Sequence, residues 1–392
     1  MTNYNICQTI YRDILEPAGS PIRAWEISSH LKIENHKVFA CSVSNNTRVF
    51  EKNGIKIYQY KLINKRPFER SYVFDTIRFS HWIEKACENN QPDLIHAHIF
   101  QTAISAYPVK RSYKVPMVYD MHGLVPEEIT YKNTIKKLRW FPWYMVAKVL
   151  RKYSDFIVAT SDSLMEMLIN IGIPEDKIES IPVGVNTRLF YPGNKDNHIR
   201  KKYSLQEKNV VLFAGCIESY QGIDTLFESI AQIVKQRKDI VFLIVGGGSD
   251  LEKYIKIAQN PLFKNQVIMT GQIDYTEMPE YIRAAEIGLS LRTYSLMGHV
   301  SFPTKLTTYM ACGLPCIATS NGDQKKIINK HGTGFLVKSG DTLGLTKTIL
   351  EALSDKNRLK EMSKKSRLVA EKEFSWDVLC KKYIRIYDKL IQ

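Results

Sequence analysis

Short runs of apolar and β-branched residues alternate with helical patterns along the first half of the chain. Such runs occur at residues 4–10, 37–43, 55–60, 93–98, 115–119, 155–160 and 178–182. Between them, apolar residues recur at the spacing of an amphipathic helix, as at Ile22, Trp25, Ile27 and Leu31. Continuous apolar strands separated by helices are typical of a parallel sheet covered on both faces. The pattern therefore predicts a doubly wound α/β domain.

The alternation breaks over residues 186–202 and then restarts, with apolar runs at 209–215, 240–246, 267–271, 287–291 and 316–319. We therefore predict an α/β fold of two doubly wound, Rossmann-like domains, at residues 1–190 and 195–374. Such domains are expected to face each other across a cleft, with a ligand at the carboxyl ends of the strands. Residues 375–392 have the pattern of an amphipathic helix, which can pack back on the first domain.

The segment 302–315 combines several signals of a phosphate site. Pro303 and Thr304 stand just before Lys305, which begins an amphipathic run that ends at residues 313–315, Gly-Leu-Pro. This order predicts a loop, a short helix, a glycine stop and a strand. A helix N-terminus offers unpaired N–H groups and a positive dipole end, and the lysine adds a mobile cation, which together suit a phosphate. The alternative is that Thr304 caps an ordinary surface helix and Lys305 is a solvated charge.

Composition narrows the class of protein. The chain has 392 residues, of which 44% are hydrophobic, as expected for about two globular domains. No apolar run approaches the ~20 residues that span a bilayer, and the start lacks the blocks of a signal peptide, so we expect a cytoplasmic protein. The seven cysteines are odd in number and scattered, and Cys312 and Cys316 have no second ligand pair. We therefore expect reduced thiols and no metal site.

The formal net charge of +15 implies an anionic partner, which at this level can be nucleic acid, a phosphorylated substrate or an acidic membrane face. Part of the charge is concentrated in residues 131–153, with seven basic and no acidic residues among several aromatic ones. There is no helix-turn-helix spacing, zinc pattern or aromatic RNA-binding signature, so nucleic acid is the disfavoured partner.

We predict a helix that begins near Pro142 in this basic segment. Its buried stripe would be Trp143, Val146, Val149, Leu150 and Tyr153, and its outward side chains Tyr144, Lys148, Arg151 and Lys152. Such a face is expected to rest on anionic headgroups, which would make the protein peripheral on the inner face of the cytoplasmic membrane. The alternative is an ordinary solvated basic face.

Four motifs stand in order along nearly the whole chain: the segment 181–190, the glycine turn 246–248, Gly271 after its strand, and the segment 302–315. Together they resemble the motifs of retaining glycosyltransferases of the GT-B fold, family 4. A further segment, Ser219-Tyr220-Gln221-Gly222-Ile223-Asp224, resembles a Tyr-Gln-Gly branch of that family.

The resemblance implies transfer of a sugar from a nucleotide-sugar to a saccharide or lipid-linked acceptor, with retention at the anomeric carbon. The expected setting is synthesis of cell-surface polysaccharide or glycoconjugate. The resemblance also implies no cofactor besides the nucleotide-sugar co-substrate and no bound metal, so protein cations must neutralise the leaving diphosphate. The donor nucleotide would lie on the second domain and the acceptor mainly on the first.

Lys305 matches the family lysine, and we expect it to act on the diphosphate with Arg292. The family's usual arginine and lysine after the first strand of the second domain are absent, and Cys216 and Gln221 stand in their places. Arg292 stands where the Tyr-Gln-Gly branch often has an arginine, whose planar fork suits phosphate oxygens. The alternative for Arg292 is a solvated residue at a strand end.

The family commonly carries two glutamates eight positions apart, the second of which binds the ribose hydroxyls, and here Val300 and Thr308 occupy those positions. A threonine offers one hydroxyl where a carboxylate accepts two hydrogen bonds, so we expect weaker or redistributed ribose binding. The residues expected to bind the donor or its nucleotide are Gly19, Gly215, Gly247, Pro303, Thr304, Lys305 and Thr308.

On the first domain, His122 corresponds to the family histidine near the transferred sugar, and we expect it to donate a hydrogen bond to a sugar hydroxyl or a phosphate oxygen. Gly19 is predicted to lie in a turn after the first strand, beside the diphosphate. His96 and His98 share one strand, and we expect one to face the core and the other, His98, the cleft. The remaining acceptor-side candidates are Glu127 and Glu128, which can also simply occupy the first turn of a helix.

Two other functions keep the same two-domain architecture. A GT-B-fold epimerase would use the same cleft without glycosyl transfer, and a non-catalytic partner subunit of a glycosyltransferase would fit the loss of the glutamates. Both are alternatives to a transferase.

Overall fold

The computed structural model describes residues 3–62, 70–125, 127 and 134–392. The chain divides into two compact units. Unit 1 comprises Met1–Val183 together with Trp376–Gln392, and unit 2 comprises Gly184–Ser375. The C-terminal helix thus belongs to the first unit, whose main segment ends before residue 190.

Unit 1 is built on an eight-stranded sheet with the order β3-β4-β2-β1-β5-β6-β7-β8. Neighbouring strands are parallel except for β3 and β4, which are antiparallel. The strands are β1 Asn5–Ile10, β2 Lys37–Ser44, β3 Arg48–Lys52, β4 Ile55–Lys61, β5 Leu94–His98, β6 Met117–Met121, β7 Phe156–Ala159 and β8 Ile178–Ser180.

Helices of unit 1 connect these strands, as expected for a doubly wound sheet. They are α1 Gly19–Ile33, α2 Arg70–Asn90, α3 Ile99–Tyr113, α4 Thr134–Tyr153 and α5 Asp162–Asn170, together with the C-terminal helix, which we number α15, Trp376–Ile391. No helix within the described residues is long and apolar enough to cross a bilayer.

Unit 2 contains a second sheet, six-stranded and parallel throughout, with the order β11-β10-β9-β12-β13-β14. Its strands are β9 Asn209–Ala214, β10 Ile240–Val245, β11 Val267–Gly271, β12 Ile287–Ser290, β13 Cys316–Thr319 and β14 Gly334–Val337. Its helices are α6 His198–Lys202, α7 Ile223–Gln236, α8 Leu251–Ala258, α9 Met278–Arg283, α10 Leu296–Val300, α11 Thr304–Ala311, α12 Gly322–His331, α13 Thr342–Ser354 and α14 Lys356–Val369.

The predicted fold class, two Rossmann-like α/β units with parallel sheets, is confirmed. Two edge strands were not predicted. The first, β3, forms a hairpin with β4 through Asn53 and Gly54, which have φ angles of 52° and 73°. An Asn-Gly pair with both φ angles positive is the preferred two-residue hairpin turn, so the sequence did carry this signal. The second, β14, is a short strand and only partly buried.

The C-terminal helix α15 packs into the core of unit 1. Trp376, Leu379 and Tyr383 share one buried cluster with residues of α1 such as Ile27 and Leu31. Burial of such side chains is worth roughly 1.5–3 kcal/mol each, which fixes the end of the chain to the first unit.

Helix α4 differs from the prediction at its start and on its faces. The helix begins at Thr134, so Pro142 lies inside it. Pro142 is exposed, and water can bond to the backbone carbonyl that a proline leaves without an N–H donor. Val149 and Tyr153, predicted to be buried, are 44% and 50% exposed. Arg151, predicted to point outward, is 6% exposed. The buried side of the helix is thus rotated towards Arg151. An ion pair with Glu127 compensates for burying the charge of Arg151.

Candidate functional site

The two units each carry a cluster of candidate functional side chains at one edge of the sheet. In unit 2 the cluster begins with glycines at the ends of β9 and β10. Gly215 and Gly246 have φ angles of +135° and +137°. A Cβ atom on Gly246 would lie 2.0 Å from the carbonyl oxygen of Gly215, and one on Gly248 would lie 2.3 Å from that of Ile217. The glycine turn predicted at 246–248 therefore lets two loops pack backbone against backbone.

Gly247 lies in the same turn without this steric demand. Its carbonyl oxygen accepts a hydrogen bond of 2.8 Å from the N–H of Ile217. A Cβ atom at Gly247 would meet only the side chain of Gln272, at ordinary contact distance of 3.5 Å. Gly247 thus joins the loops after β9 and β10 through its backbone.

Lys305 stands in the first turn of α11, as predicted from the order of loop, helix, glycine stop and strand. Its Nζ donates a hydrogen bond of 2.7 Å to Oε1 of Gln221 and lies 3.7 Å from the ring centroid of Phe213. A Cβ atom on Gly215 would lie only 2.5 Å from Cε of Lys305, so this glycine makes room for the lysine. Phe213 has the pattern of a core residue in a strand, so its cation–π contact with Lys305 could not be predicted from the sequence.

The electrostatics around Lys305 favour an anion. Burial, and to a lesser extent the positive charge of Arg292, lowers the pKa of the Lys305 amine well below its usual value. Burial also lowers the pKa of Arg292. A bound phosphate would offset both effects, because a nearby negative charge stabilises the protonated form of each side chain.

Arg292 follows β12 and forms hydrogen bonds with the loop that leads into α11. Its Nη1 donates to the carbonyl of Ser301 at 2.6 Å, and its Nη2 donates to that of Phe302 at 3.0 Å. These carbonyls immediately precede Pro303 and Thr304, so the guanidinium holds the entry to the helix in place. Arg292 therefore brings both a positive charge and a structural contact to this edge.

The residues in the places of the family glutamates have different environments. Val300 is fully buried. Thr308 is partly buried, and its Oγ1 donates a hydrogen bond of 2.8 Å to the carbonyl of Thr304, one helical turn earlier. A ribose hydroxyl at Thr308 would therefore meet the lone pairs of an oxygen whose proton is already engaged.

Cys216 and Gln221, which stand where the family usually has an arginine and a lysine, have different environments. Gln221 is buried and faces Lys305, whereas Cys216 is exposed. The Sγ of Cys216 lies 3.1 Å from Oε1 of Glu218, to which it can donate a hydrogen bond. Partial burial and Glu218 raise the pKa of the Cys216 thiol to about 11, so it stays protonated near neutral pH.

In unit 1 a buried cluster is centred on Asp120, the residue of β6 that lies next to His98 of β5. One carboxylate oxygen, Oδ2, accepts hydrogen bonds from Nε of Arg23 at 3.0 Å and from the hydroxyl of Tyr383 at 2.8 Å. Burial opposes ionisation of Asp120, but the charge of Arg23 and the hydrogen bond from His96 hold its pKa well below the usual value. Asp120 is therefore a carboxylate, joined to the C-terminal helix by Tyr383.

Arg23 closes this charge network from α1. It donates to the carbonyls of Pro182 and Ile181 at 2.7 and 2.9 Å, and also to the hydroxyl of Tyr383. The side chains of Arg23 and Asp120 are both fully buried. Removing either partner would leave an unpaired buried charge, which typically costs about 3–5 kcal/mol.

The expectation that His96 and His98 point in opposite directions is wrong. Residues two apart on a strand lie on the same face of the sheet, and the two rings stack with their centroids 4.3 Å apart. Both histidines are fully buried, beside Asp120. His98 thus contacts His122, at 3.4 Å between Nδ1 and Nε2, as a buried neighbour.

His122 lies just beyond the end of β6, and its side chain is 15% exposed. Its Nε2 is 3.4 Å from Oδ1 of Asp120. Burial lowers the pKa of His122 to about 4, although the charge of Asp120 opposes the shift. His122 is therefore a neutral imidazole near pH 7, held beside a carboxylate.

The atoms of His96, His98 and Asp120 that could hold a metal ion lie within 4.8 Å of one another. However, the Asp120 oxygen that faces both histidines already accepts a hydrogen bond from Arg23. A divalent cation there would face a guanidinium in a buried setting, so the residues present do not fit a metal.

The remaining predicted residues of unit 1 are placed as follows. Gly19 is the first residue of α1 and does not lie in a turn, and a Cβ atom there would meet nothing within 4 Å. Glu127 accepts a hydrogen bond of 2.6 Å from Arg151. Glu128 lies outside the described residues.

Comparison of the whole fold with solved structures identifies the class of protein as GT-B. Sucrose-phosphate synthase from Thermosynechococcus elongatus superposes with a TM-score of 0.84 at 20% identity, covering 99% of both chains. The Anabaena protein HepE in complex with UDP-glucose gives a TM-score of 0.79 at 15% identity, covering 99% of this chain and 100% of that one. At such identities the likeness establishes the fold alone.

Sequence comparison then supplies the family. Residues 17–189 match the family described as Glycosyltransferase Family 4, and residues 194–369 match Glycosyl transferases group 1. N-acetyl-alpha-D-glucosaminyl L-malate synthase of Bacillus anthracis is 21% identical over 337 residues, which cover 85% of this chain and 82% of that protein. The chain therefore belongs to the group 1 glycosyltransferases, with a family 4 N-terminal module.

Proposed function

We propose that the protein is a retaining glycosyltransferase that moves a sugar from a nucleotide-sugar to a saccharide or lipid-linked acceptor, without a metal. The observation that carries the proposal is the surrounding of Lys305. This amine stands in the first turn of α11, fixed by Gln221 and accommodated by Gly215. Cations and backbone N–H groups at a helix N-terminus stabilise the negative charge that develops on a leaving diphosphate.

In this proposal the donor diphosphate lies at the edge of unit 2 that carries Lys305 and Arg292. Metal independence is supported by Lys305 and Arg292, which can both carry positive charge at that edge once a phosphate is bound, and by Arg23, which already neutralises Asp120 in unit 1. The Anabaena structure with UDP-glucose supports a nucleotide-sugar as the donor. Cell-surface polysaccharide or glycoconjugate synthesis remains the proposed setting.

Attachment to an anionic membrane is a further part of the proposal, and the outer face of α4 supports it. Phe141, Tyr144, Met145 and Val149 are 59%, 43%, 43% and 44% exposed. Lys148 and Lys152 are exposed on the same side, because residues three, four and seven apart on a helix share a face. Exposed aromatic and apolar side chains beside lysines are typical of a helix that lies in a lipid headgroup layer.

A second exposed apolar patch occurs on α2, where Val73, Phe74 and Ile77 are 46%, 65% and 61% exposed. Helices α2 and α4 both pack against α3. Exposed apolar patches of this kind mark surfaces that contact a protein or a membrane.

The experiment is incubation of the full chain with a panel of labelled nucleotide-sugars, with and without added chelator. Transfer to an acceptor or slow donor hydrolysis, unaffected by chelator, is the expected result. Nuclear magnetic resonance of the product should show that the donor's anomeric configuration is kept. Formation of an epimer would favour the epimerase, and donor binding without turnover by the folded protein would favour a non-catalytic partner subunit.

A further inference from the structure

The buried cluster of unit 1 assigns the ring protons of its three histidines. Asp120 is a carboxylate, whose oxygens can only accept hydrogen bonds. His96 Nε2 lies 3.3 Å from Oδ2 of Asp120, so the proton of His96 is on Nε2. Burial lowers the pKa of His96, which leaves a neutral ring with a bare Nδ1. That nitrogen lies 2.6 Å from the hydroxyl of Tyr387, which can donate to it.

Gln8 lies between His96 and His98, so the tautomer of His96 determines that of His98. Its amide Nε2, which can only donate, lies 3.3 Å from the bare Nδ1 of His96. Its Oε1, which can only accept, lies 2.9 Å from Nε2 of His98. The proton of His98 is therefore on Nε2 and its Nδ1 is bare, because burial also lowers the pKa of His98, and the 3.7 Å between this Nδ1 and Oδ2 of Asp120 is longer than a hydrogen bond.

The opposite orientation of the Gln8 amide fails. Its oxygen would then face Nδ1 of His96 and require a proton there. The bare Nε2 of a neutral His96 would in turn face the carboxylate of Asp120, acceptor against acceptor. The charge on Asp120 thus fixes the direction of the whole chain.

Two neighbouring atoms determine which ring nitrogen of His122 carries the proton. Its Nε2 lies 3.4 Å from the bare Nδ1 of His98 and 3.4 Å from Oδ1 of Asp120. That carboxylate oxygen is buried and has no hydrogen-bond partner among the residues that the structure describes. Both neighbours are acceptors, so a neutral His122 carries its proton on Nε2.

We propose that Gln8, His98 and Asp120 are positioning residues that hold His122 in the Nε2–H form, so that its Nδ1 meets the substrate as a hydrogen-bond acceptor. This inference rests on the proposed glycosyl transfer, and it assigns a sugar hydroxyl to His122 as its ligand. An ionised phosphate oxygen has no proton to donate, so it is excluded. In this proposal His122 accepts a hydrogen bond from the substrate, whereas the sequence analysis expects it to donate one.

The first test needs no activity. The full chain, labelled with ¹⁵N in its histidines, is examined by nuclear magnetic resonance at pH 7, and the His122 signals are assigned by their loss in His122→Asn. We expect a protonated Nε2 and an unprotonated Nδ1, with exposed His299 as the reference ring. A proton on Nδ1, or on both nitrogens, would overturn the proposal.

Two variants separate positioning from general stability. Gln8→Leu removes the amide that orients His98, so the His122 signals should shift towards a mixture of tautomers. Gln236→Leu, at an exposed position of unit 2, should leave them unchanged. An unchanged His122 spectrum in folded Gln8→Leu protein would remove Gln8 from the chain. If that variant does not fold, the wild-type spectrum decides.

The second test uses donor analogues in which each sugar hydroxyl is replaced in turn by hydrogen or by fluorine. Fluorine cannot donate a hydrogen bond, so for one hydroxyl both replacements should lower kcat/KM by about tenfold. His122→Ala should add no further loss with those two analogues. An active fluoro analogue beside an inactive deoxy analogue would show that His122 donates. Absence of transfer with every donor would overturn the proposed function, while the spectrum would still decide the tautomer.

Discussion

Nζ of Lys305 donates its hydrogen bond to Oε1 of Gln221, at 2.7 Å. The residue that stands in the place of one missing family cation thus positions the lysine that remains. A glutamine brings no charge of its own, so the other positive charge near a diphosphate at this site would come from Arg292 and from the helix N-terminus. The predictions for unit 2 follow from this relationship.

Lys305→Ala should lower turnover by ~10²-fold or more, the scale of losing one donor that stabilises a transition state. Lys347→Ala is the matched control, because Lys347 is exposed on α13 of the same unit. Steady-state kinetics with the nucleotide-sugar identified by the donor panel would measure both. Near-normal turnover in folded Lys305→Ala protein would contradict the role of Lys305 at the diphosphate.

Arg292 can act as a charge, as a loop contact, or as both, and two substitutions separate these roles. Arg292→Ala removes both and should lower turnover by ~10²-fold. Arg292→Lys keeps the charge but cannot reproduce the fork that binds the carbonyls of Ser301 and Phe302. We expect Arg292→Lys to stay well below wild-type turnover, because the loop into α11 loses its clamp.

The readouts for Arg292 are turnover and the thermal unfolding temperature, compared with those of Arg358→Lys as a control on α14. Full activity in Arg292→Lys would show that the charge alone is needed. Full activity in Arg292→Ala would show that neither the charge nor the loop contact of Arg292 is needed for transfer.

Gly215→Ala should weaken donor binding, because its Cβ atom would lie 2.5 Å from Cε of Lys305 and must displace that side chain. The matched control is Gly332→Ala, which also has a positive φ but an open surrounding, with nothing within 4 Å of the new Cβ. Both variants carry backbone strain, so only Gly215→Ala should raise the Kd of the nucleotide-sugar in calorimetry. Equal Kd values in the two variants would show that Lys305 is not displaced.

The fold was largely predictable from local pattern, whereas the contacts in the sites were not. Apolar runs separated by helical spacing sufficed for the parallel sheets, and the glycine stop at 313 ended α11 as predicted. The contact of Tyr383 with Asp120, 263 positions apart, depends on where the C-terminal helix packs, which no local pattern encodes. The rotation of α4 likewise depended on Glu127 pairing with Arg151. Charged residues are usually outward, so only the pairing partner could have reversed that assignment.

The histidine cluster predicts that unit 1 loses stability as the pH falls. The pKa of His122 is lowered to about 4, and those of His96 and His98 are lowered as well. Between about pH 6.5 and pH 4 the folded state therefore binds fewer protons than the unfolded state, so unfolding takes up protons and acid favours it. His122 alone would contribute roughly 3 kcal/mol, lost over that window.

Tryptophan fluorescence during urea unfolding at pH 7, 6 and 5 measures this effect in unit 1. All five tryptophans of the chain, Trp25, Trp82, Trp140, Trp143 and Trp376, belong to that unit. His122→Gln should make the pH dependence shallower, since one of the three titrating rings is gone. A midpoint that does not change between pH 7 and pH 5 would contradict the prediction.

The last prediction concerns the outer face of α4. The protein should bind vesicles that contain anionic lipid and should dissociate as salt rises, because the Debye length falls to about 3 Å near 1 M. Each lysine near an anionic surface contributes about 1 kcal/mol, so Lys148→Gln with Lys152→Gln should weaken binding by roughly 2 kcal/mol at low salt, about thirtyfold. Lys347→Gln with Lys356→Gln, exposed on unit 2, removes the same charge elsewhere and is the control.

The apolar part of this face is tested by Phe141→Ser with Met145→Ser. These side chains are 59% and 43% exposed, so the substitutions should leave the thermal unfolding temperature nearly unchanged while weakening the salt-resistant part of vesicle binding. Sedimentation with neutral and with anionic vesicles measures both contributions. Equal binding to the two kinds of vesicle would exclude the electrostatic part. If the lysine pair and its control lose binding equally, net charge and not α4 is responsible, and the argument for an acceptor held at a membrane loses its support from this helix.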